Sequence, residues 1–474
     1  MSRYTTTIGL EVHAELKTKS KMFSGSPNNP DEEKPNANIN PIDLAHPGTL
    51  PTINKKALEH MVRIGLVING EIANFTEFDR KNYFYPDIPK GYQISQYQYP
   101  IVSGGNLAGV EVTRVHLEED TGTSKHDQGA RSLVDYNRAG VPLMELVTEP
   151  VIHSAEQAVR FARELQLLLR YLGASDANME KGEMRVEVNI SISDTKEFGT
   201  KVEVKNINSF KAVERAINFE IERMTELLDA GKGDEIVQET RGWNENTNET
   251  FSQRKKESAH DYRYFPEPDL PKLHLHDMFD LDELKEGLPL LPWKKREQYI
   301  TLGLGEDHAE ILVRENALAD FFDAVVGFND KKTKDEKSTD KFVQLSVNYI
   351  TSDLVPLIES GESFPQPEHF RELIEMLIAN EISSRGAKDV LAIMVKESAP
   401  AKEIADKHGL IQKNDEGELL TVVQKIIADN PSVVEEYKAG KETSIQFLVG
   451  QGMKATKGSA NPGMLMQLLK KELG

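Results

Sequence analysis

Alternation of apolar and polar residues, repeated in three separate segments, most constrains what this chain can fold into. In the first segment, Ile8–Leu16, every even position carries an apolar residue. Because successive side chains of a strand point to opposite faces, Glu11, His13 and Glu15 then share one polar face. The segment predicts a half-buried β-strand that presents an acidic strip with one imidazole.

Two further segments repeat this alternation and add charged groups to their polar faces. Glu183–Ser191 is the stricter of the two, and Thr200–Ile207 buries two valines. The polar positions are Arg185, Glu187 and Asn189 in the first segment and Lys201, Glu203 and Lys205 in the second. Three predicted strands therefore each offer a carboxylate from a polar face.

These polar strips have two interpretations. An antiparallel sheet with one wetted face explains them without any chemistry, and this alternative stays open for each strand. However, Glu, His, Asn and Arg are poorer strand formers than Thr or Tyr, which suit a wetted face better. Converging carboxylates repel one another unless a cation joins them, and oxygen-rich sites suit Mg²⁺ or Mn²⁺ better than Zn²⁺. The functional interpretation is a metal site.

Further acidic and basic groups lie in segments where periodicity alone does not decide their direction. In RVHLEED, residues 114–120, the adjacent Glu118 and Glu119 must point to different faces if the strand continues. Further along, Arg138 precedes a Gly-Val-Pro turn and Glu145 follows it. Arg138 can clamp a phosphate or simply pair with an acid, and both interpretations stay open.

Basic and aromatic residues are interleaved in residues 78–96, FDRKNYFYPDIPKGYQISQ. Basic groups suit phosphates, and aromatic rings suit stacking on a base or a ribose. The groups in question are Arg80, Lys81, Tyr83 and Tyr85. Residues 261–268, DYRYFPEP, form a second cluster. A proline-rigid packing turn explains either cluster equally well.

The character of the sequence changes near Leu288–Trp293, where strand-like alternation gives way to successive amphipathic helices. Before the change, helices are predicted at 154–173, with a Ser154/Gln157 capping box, and at 209–231. Beyond it, helices are predicted at 367–380, 384–396, 401–408, 419–430, 432–439 and 444–453. Residues 329–341 are nearly all charged, which predicts a solvated loop.

Composition excludes several classes of function. The 57 Lys and Arg residues against 77 Asp and Glu residues give a net charge of −20, so binding of a polyanion needs local positive patches. One such patch is the terminal segment 450–474, with Lys454, Lys457, Lys470 and Lys471. The chain has no Cys, which excludes disulfides, Cys-bound zinc and thiol nucleophiles. It has no P-loop, which excludes nucleotide binding of that kind. It also has no signal peptide and no membrane-spanning run, which predicts a cytoplasmic protein.

Residues 134–150, VDYNRAGVPLMELVTEP, closely resemble the signature segment of the B subunits of aspartyl/glutamyl-tRNA(Asn/Gln) amidotransferases, the GatCAB complexes. Segments within 6–24, 78–96, 116–122, 184–191, 198–210 and 261–271 resemble the same family in the same order. The resemblance spans 1–474. At Glu187 the family more often has Asp, so the carboxylate is kept with a longer reach.

The resemblance implies an α+β protein of three domains. Residues 1–292 are expected to form a glutamine-synthetase-like catalytic cradle with an antiparallel sheet, 293–406 a helical domain, and 407–474 a YqeY-like tail that contacts tRNA. The implied activity is that of an ATP-dependent ligase: ATP phosphorylates the side-chain carboxyl of Glu on tRNA(Gln) or of Asp on tRNA(Asn), and ammonia displaces the phosphate. Implied cofactors are ATP and Mg²⁺. Implied partners are the charged tRNA and, in a heterotrimer, the amidase (A) and small (C) subunits.

The resemblance also implies residue roles. The implied metal ligands are Glu11, His13, Glu119 and Glu203, with Glu119 chosen over Glu118. The implied catalytic set is Glu119, Glu145, Arg138, Lys81 and Lys205. The implied ATP and substrate contacts are Arg80, Tyr83, Tyr85, Glu187, Asn189 and Asn206, and the tRNA contacts are the four lysines of 450–474. From the residues alone, an RNA-binding scaffold and a metal-dependent hydrolase stay open as alternatives.

Overall fold

The computed structural model describes residues 3–128, 131–255, 262–327, 336–412, 416–456 and 460–474. The chain divides into two compact units, Met1–Pro292 and Trp293–Gly474. In the described ranges, no helix is both long enough and apolar enough to cross a membrane.

The strands belong to the first unit. They are β1 (Thr5–Glu15), β2 (Glu71–Ile72), β3 (Phe75–Thr76), β4 (Asp79–Asn82), β5 (Tyr92–Ser95), β6 (Val102–Ser103), β7 (Asn106–Leu107), β8 (Val110–Glu119), β9 (Thr123–Gln128), β10 (Arg131–Asp135), β11 (Pro142–Thr148), β12 (Met184–Ser193), β13 (Val202–Lys205), β14 (Glu239–Asn244), β15 (Glu249–Lys255), β16 (Phe265–Pro266) and β17 (Leu273–His274).

The helices are α1 (Lys55–Val67), α2 (Ala155–Tyr171), α3 (Phe210–Asp229), α4 (Leu275–Met278), α5 (Leu281–Glu286), α6 (Pro292–Thr301), α7 (Glu306–Val313), α8 (Asn316–Val326), α9 (Glu336–Tyr349), α10 (Val355–Glu359), α11 (Pro367–Ile378), α12 (Ser384–Glu397), α13 (Ala401–Lys407), α14 (Glu416–Asp429), α15 (Pro431–Lys438), α16 (Ser444–Ala455) and α17 (Pro462–Leu473). A 3₁₀ turn spans Gly233–Glu235 and a π-helical turn spans Ile350–Leu354.

One large sheet dominates the first unit, with the strand order β15-β14-β13-β12-β1-β11-β8-β6-β2 and β7 paired to β8. Its pairs are antiparallel except that β14 runs parallel to β13. The three strands predicted from alternation are present as β1, β12 and β13, and they are direct neighbours. The fold therefore brings the three predicted polar strips side by side on one surface.

Helices α2 and α3 pack against each other and against the strands of this sheet. Their starts follow the predicted capping: the Ser154 hydroxyl accepts a hydrogen bond from Gln157 N, and Ser209 caps α3 in the same way. The Gln157 side chain accepts a hydrogen bond from the backbone N–H of His153, whereas in the usual capping box the donor is the N–H of the capping residue, here Ser154. Because the apolar rows of β1 and β12 are buried, the opposite rows are left to form a polar face.

The second unit is helical, and the six helices predicted in it are confirmed as α11–α16 within two or three residues. Its buried apolar side chains form two separate cores, one within residues 299–405 and one within residues 419–473. Leu410 and Ile411 still pack against the first core. The predicted loop at 329–341 is partly wrong, because α9 already begins at Glu336, whereas residues 328–335 lie outside the described residues.

The predicted α+β class, with an N-terminal antiparallel-rich sheet and a helical remainder, is confirmed. The three-domain boundaries stay a prediction.

Candidate active site

A cavity of about 900 Å³ lies over the polar face of the large sheet. Five adjacent strands, β13, β12, β1, β11 and β8, contribute side chains to its lining. The acidic and imidazole groups that line it are Glu11, His13, His116, Glu118, Asp120, Glu145, Glu187 and Glu203, and the basic groups are Lys81, Arg114, Arg185, Lys201, Lys205 and Arg263. Both signs of charge are thus concentrated in one solvent-accessible volume.

Strand register places four of these groups in a row across the sheet. His13 on β1 lies opposite Arg185 on β12 and opposite Glu145 on β11. Glu145 in turn lies opposite His116 on β8. The two imidazoles flank the same carboxylate, since each places its Nε2 3.4 Å from Glu145 Oε2.

A second group of carboxylates lies beside this row. Glu11 and Glu187 are directly opposite each other on β1 and β12, a placement that destabilises a sheet unless a cation compensates it. Glu203 on β13 completes the group, and ligand atoms of the three residues lie within 4.8 Å of one another. The same holds for Glu11, His13 and Glu145, and for His116, Glu118 and Glu145. These three clusters share members and could hold metal ions.

Burial and charge set the protonation of this row. Burial acts to lower the pKa of His13, but the hydrogen bond and charge of Glu145, with the charges of Glu187 and Glu118, raise it to about 9. Burial acts to raise the pKa of Glu145, but His116 and His13 hold it well below its usual range. Without a metal ion, therefore, His13 is protonated and Glu145 ionised at neutral pH.

Lysines compensate the remaining carboxylates. Lys205 Nζ lies 2.7 Å from Glu187 Oε2 and 3.5 Å from Glu203 Oε1. Burial acts to lower the pKa of Lys205, but the charges of Glu187 and Glu203 outweigh it and raise the pKa. On the other side of the cavity, Lys81 Nζ lies 3.6 Å from Glu118 Oε2. Two ammonium groups thus line the cavity, and fixed positive charge of this kind suits anionic groups such as phosphates.

The adjacent residues Glu118 and Glu119 point to opposite sides of β8. Glu118 lines the cavity, whereas Glu119 does not and is bound instead by Lys90 and by the backbone N–H of Ile94, at 2.8 Å. Both carboxylates are buried. This placement disagrees with the choice of Glu119 over Glu118 as the metal ligand, because a strand directs neighbouring residues to different faces.

A chain of tyrosine rings lies along one side of the cavity. The rings form successive edge contacts: Tyr85 with Tyr83, Tyr83 with Tyr262, and Tyr262 with Tyr264. Their centroids are 6.1, 5.7 and 6.0 Å apart, respectively. Tyr264 stacks on Tyr97 at 4.4 Å with the rings nearly parallel. The two aromatic segments found in the sequence therefore pack on each other beside the cavity, and Tyr83, Tyr262 and Tyr264 from them line it together with Tyr97. Asp261, the first residue of the second segment, lies outside the described residues.

Several predicted site residues lie away from the cavity lining. Arg80 forms two hydrogen bonds to Glu267, at 2.6 and 2.8 Å, and its guanidinium lies over the Tyr92 ring. Arg138 donates to the backbone oxygens of Thr121 and Gly122. Arg80, Tyr85, Glu119, Arg138 and Asn206 are absent from the lining, whereas Glu11, His13, Lys81, Tyr83, Glu145, Glu187, Asn189, Glu203 and Lys205 are present in it.

Other lining residues were not assigned a role from the sequence. His116 and Glu118 are two residues apart in RVHLEED, so a strand directs them to the same face. The direction of His116 therefore follows from that of Glu118. Arg185 sits on the polar face already predicted for its strand and donates to Asp120, at 2.7 Å. Tyr97 follows the aromatic segment by one residue. No local signal identified Asp120.

The lysines predicted to contact tRNA lie in the second unit. Lys454 is exposed in α16, and Lys470 and Lys471 are exposed in the last turn of α17. Lys471 lies 3.6 Å from Glu416. Lys457 lies outside the described residues.

Fold and cavity together define the class of the protein. An acidic, imidazole-bearing sheet face bordered by lysines is suited to group transfer between anionic substrates, which requires cations and fixed positive charge. Such a face, built on an α+β scaffold, is typical of an enzyme.

Comparison with known proteins defines the family. The profile of the GatB/GatE catalytic domain matches residues 6–279, and the profile of the GatB domain matches residues 320–473. The B subunit of the aspartyl/glutamyl-tRNA(Asn/Gln) amidotransferase of Dehalococcoides mccartyi strain CBDB1 is 43% identical over 100% of this chain and 99% of the relative. The B subunits of the same enzyme from Caldanaerobacter subterraneus subsp. tengcongensis and Persephonella marina are 44% and 43% identical, over 99% and 98% of each chain. The chain belongs to this family of amidotransferase B subunits, which confirms the resemblance.

Proposed function

We propose that this chain is the amide-forming subunit of a tRNA-dependent amidotransferase. Its substrates are Glu-tRNA(Gln), Asp-tRNA(Asn) or both, and its products are the corresponding Gln-tRNA(Gln) and Asn-tRNA(Asn). The observation that carries the proposal is the cavity in which three overlapping carboxylate and imidazole clusters face the ammonium groups of Lys81 and Lys205. The names of the relatives supply the substrate class.

The proposed reaction has two steps. A carboxylate oxygen of the aminoacyl side chain attacks the γ-phosphorus of ATP, which forms an acyl phosphate and releases ADP. Ammonia then attacks the acyl carbon, phosphate leaves, and one proton is lost as the amide forms. Activation is needed because oxide is a poor leaving group, whereas phosphate is a good one.

The donor set of the cavity fits Mg²⁺. Oxygen donors dominate the three clusters, and the single charge of Lys205 offsets only part of the charge of Glu11, Glu187 and Glu203. We assign Glu11, Glu187 and Glu203 to one cation locus, and His13, His116, Glu118 and Glu145 to another. When bound, the cation supplies charge neutralisation for phosphoryl transfer. Since the charges around His13 raise its pKa to about 9, a cation held by His13 would compete with a proton for the imidazole.

The remaining residues of the cavity bind and orient the anionic substrates. Lys205 and Lys81 neutralise phosphate oxygens or the carboxyl under attack. Asn189 and Arg185 add hydrogen-bond donors from the same face of β12. The tyrosine rings offer apolar surface for the base or ribose of a nucleotide.

Ammonia in this proposal comes from a partner. The chain has no Cys for a thiol-dependent glutaminase, so the amidase (A) and small (C) subunits complete the complex. The names of the relatives, which all designate a B subunit, support a multi-subunit enzyme. We place its action in the cytoplasm, where charged tRNAs are used.

The experiment that tests this function measures conversion of tRNA-linked Glu to Gln. The purified amidase and small partner subunits, glutamine, Mg²⁺, ATP and Glu-tRNA(Gln) are incubated with and without this chain. We expect Gln-tRNA(Gln) only when both the chain and ATP are present. A parallel assay with Asp-tRNA(Asn) decides the substrate. Absence of both products, with an active amidase and measured tRNA binding, would leave the chain as an RNA-binding scaffold.

Removal of the second helical core separates tRNA binding from chemistry. A chain ending at Gln412 keeps Leu410 and Ile411 on the first core and loses α14–α17 with their exposed lysines. We expect the KM for charged tRNA to rise at least about 10-fold, because several phosphate contacts are lost. The KM for ATP should stay unchanged. Wild-type affinity for tRNA in a binding titration would remove these helices from the recognition surface.

A further inference from the structure

Thr240 lies beside one of the carboxylates of the proposed cation site, although it does not line the cavity itself. Strand β14 joins the sheet parallel to β13, and this pairing places Thr240 directly next to Glu203. The Thr240 hydroxyl donates a hydrogen bond to Glu203 Oε2 at 2.7 Å. One oxygen of the carboxylate is thereby fixed by a neutral donor.

The other oxygen of Glu203 lies near Lys205, which also contacts Glu187. Glu203 Oε1 lies 3.5 Å from Lys205 Nζ, and Glu203 shares a cluster with Glu11 and Glu187. A carboxylate that rotates freely about its terminal bond presents a ligand oxygen in many directions. The Thr240 hydroxyl restricts this rotation and leaves the negative charge of Glu203 in place. A lysine at position 240 would neutralise that charge.

A buried ion network anchors the strand that carries Thr240. Arg241, the next residue, contacts Glu239, Thr250 and the fully buried Glu220. Glu220 also accepts two hydrogen bonds from Arg223 Nε and one from Arg223 Nη2, within α3. Because a buried pair is costly to break, this network holds β14 in place. The Thr240 hydroxyl is thus presented from a rigid support.

We propose that Thr240 is a positioning residue that orients Glu203 for binding of a divalent cation. The inference rests on the proposed function, because it takes Glu203 as a ligand of the cation that the reaction requires. Residues that orient metal ligands through hydrogen bonds typically change metal affinity or activity by about 10- to 100-fold when removed. Thr240 acts through Glu203 and touches neither the cation nor the substrate.

Binding of Mn²⁺ to the full-length chain tests this role without any turnover. Free Mn²⁺ is measured by electron paramagnetic resonance for wild type, Thr240→Val, Thr240→Ser and Glu203→Gln. Valine keeps the shape of threonine but loses the hydroxyl, and serine keeps the hydroxyl. We expect Thr240→Val and Glu203→Gln to weaken one class of Mn²⁺ sites by about 10-fold or more, and Thr240→Ser to bind as wild type.

A matched control exists in the same sheet. The Thr113 hydroxyl on β8 donates to Glu149 Oε1 at 2.7 Å, and neither residue lines the cavity. Thr113→Val therefore removes an equivalent hydrogen bond and should leave Mn²⁺ binding unchanged. In the assembled complex, Thr240→Val should raise the Mg²⁺ concentration needed for half-maximal conversion by a similar factor, and saturating Mg²⁺ should restore much of the rate.

The outcomes separate the two levels of the proposal. If Glu203→Gln weakens Mn²⁺ binding and Thr240→Val does not, Thr240 has no positioning role. Equal weakening by Thr240→Val and Thr240→Ser would also overturn it, because the hydroxyl would then not matter. If Glu203→Gln itself binds Mn²⁺ as wild type, the cation assignment of the proposed function fails, and the role of Thr240 fails with it.

Discussion

Glu118→Gln is expected to lower the rate of amidation on the order of 100- to 1,000-fold and to weaken Mn²⁺ binding. The side chain lines the cavity and belongs to the cluster with His116 and Glu145, so its charge helps to hold a cation. The change removes the carboxylate 3.6 Å from Lys81 Nζ, but the amide still accepts a hydrogen bond from Ser95, 3.1 Å away, and repulsion from Glu145 falls, so the fold should tolerate it.

The neighbouring substitution Glu119→Gln provides the matched comparison. It leaves the buried ammonium of Lys90 without its carboxylate, which costs about 3 to 5 kcal/mol of the free energy of unfolding. Mn²⁺ binding should stay close to wild type in the folded fraction. Denaturant unfolding and Mn²⁺ titration of both variants decide the assignment. Weak Mn²⁺ binding by Glu119→Gln together with normal binding by Glu118→Gln would restore the choice made from the resemblance.

Lys205→Met is expected to have opposite effects on cation binding and on turnover. Lys205 is a positive charge beside Glu187 and Glu203, so it repels a cation bound by the same carboxylates. Two unit charges about 5 Å apart interact by roughly 1 to 3 kcal/mol at effective dielectric constants of 80 to 20, so Mn²⁺ binding should tighten at least about 5-fold. The rate should nevertheless fall about 100-fold, because an ammonium that neutralises phosphate is lost.

Two measurements on the same preparation check this prediction: Mn²⁺ titration of the isolated chain, and single-turnover conversion by the complex at saturating Mg²⁺. Lys201→Met is the control, because Lys201 lines the same cavity from an exposed position just before β13. Lys201→Met should change the Mn²⁺ affinity and the single-turnover rate less than Lys205→Met does. Weaker Mn²⁺ binding by Lys205→Met would show that the lysine supports the site structurally.

The polar face of the sheet could be predicted because a strand has a strict period of two. Alternation fixed which side of β1, β12 and β13 carries Glu11, Glu187 and Glu203, and the buried rows agree with it. Helix starts were predictable for a similar local reason, since Ser154 and Ser209 bind backbone N–H groups only three residues away.

The order of the strands was not predictable from local pattern. Glu145 meets His13 on one side and His116 on the other only because β11 lies between β1 and β8. The partners of Arg80 and Arg138 were not predictable either, because the tertiary fold supplies them. An arginine binds a phosphate as readily as a carboxylate or a backbone oxygen, so residue type alone does not decide between them. Their predicted roles stay predictions without support from the cavity.

Because Glu118 and Glu119 point in opposite directions, the number of residues in β8 matters more for the site than the identity of most of its side chains. Inserting or deleting one residue between Val115 and Glu118 would rotate the strand end by half a period. After an insertion, Glu118 would take the position of Glu119 beside Lys90, and Leu117 would take its place in the cavity; after a deletion, Glu118 would take the buried position of Leu117. Random single-residue indels across β8 should therefore be rejected far more often than substitutions at its exposed positions, and this difference is readable by deep mutational scanning.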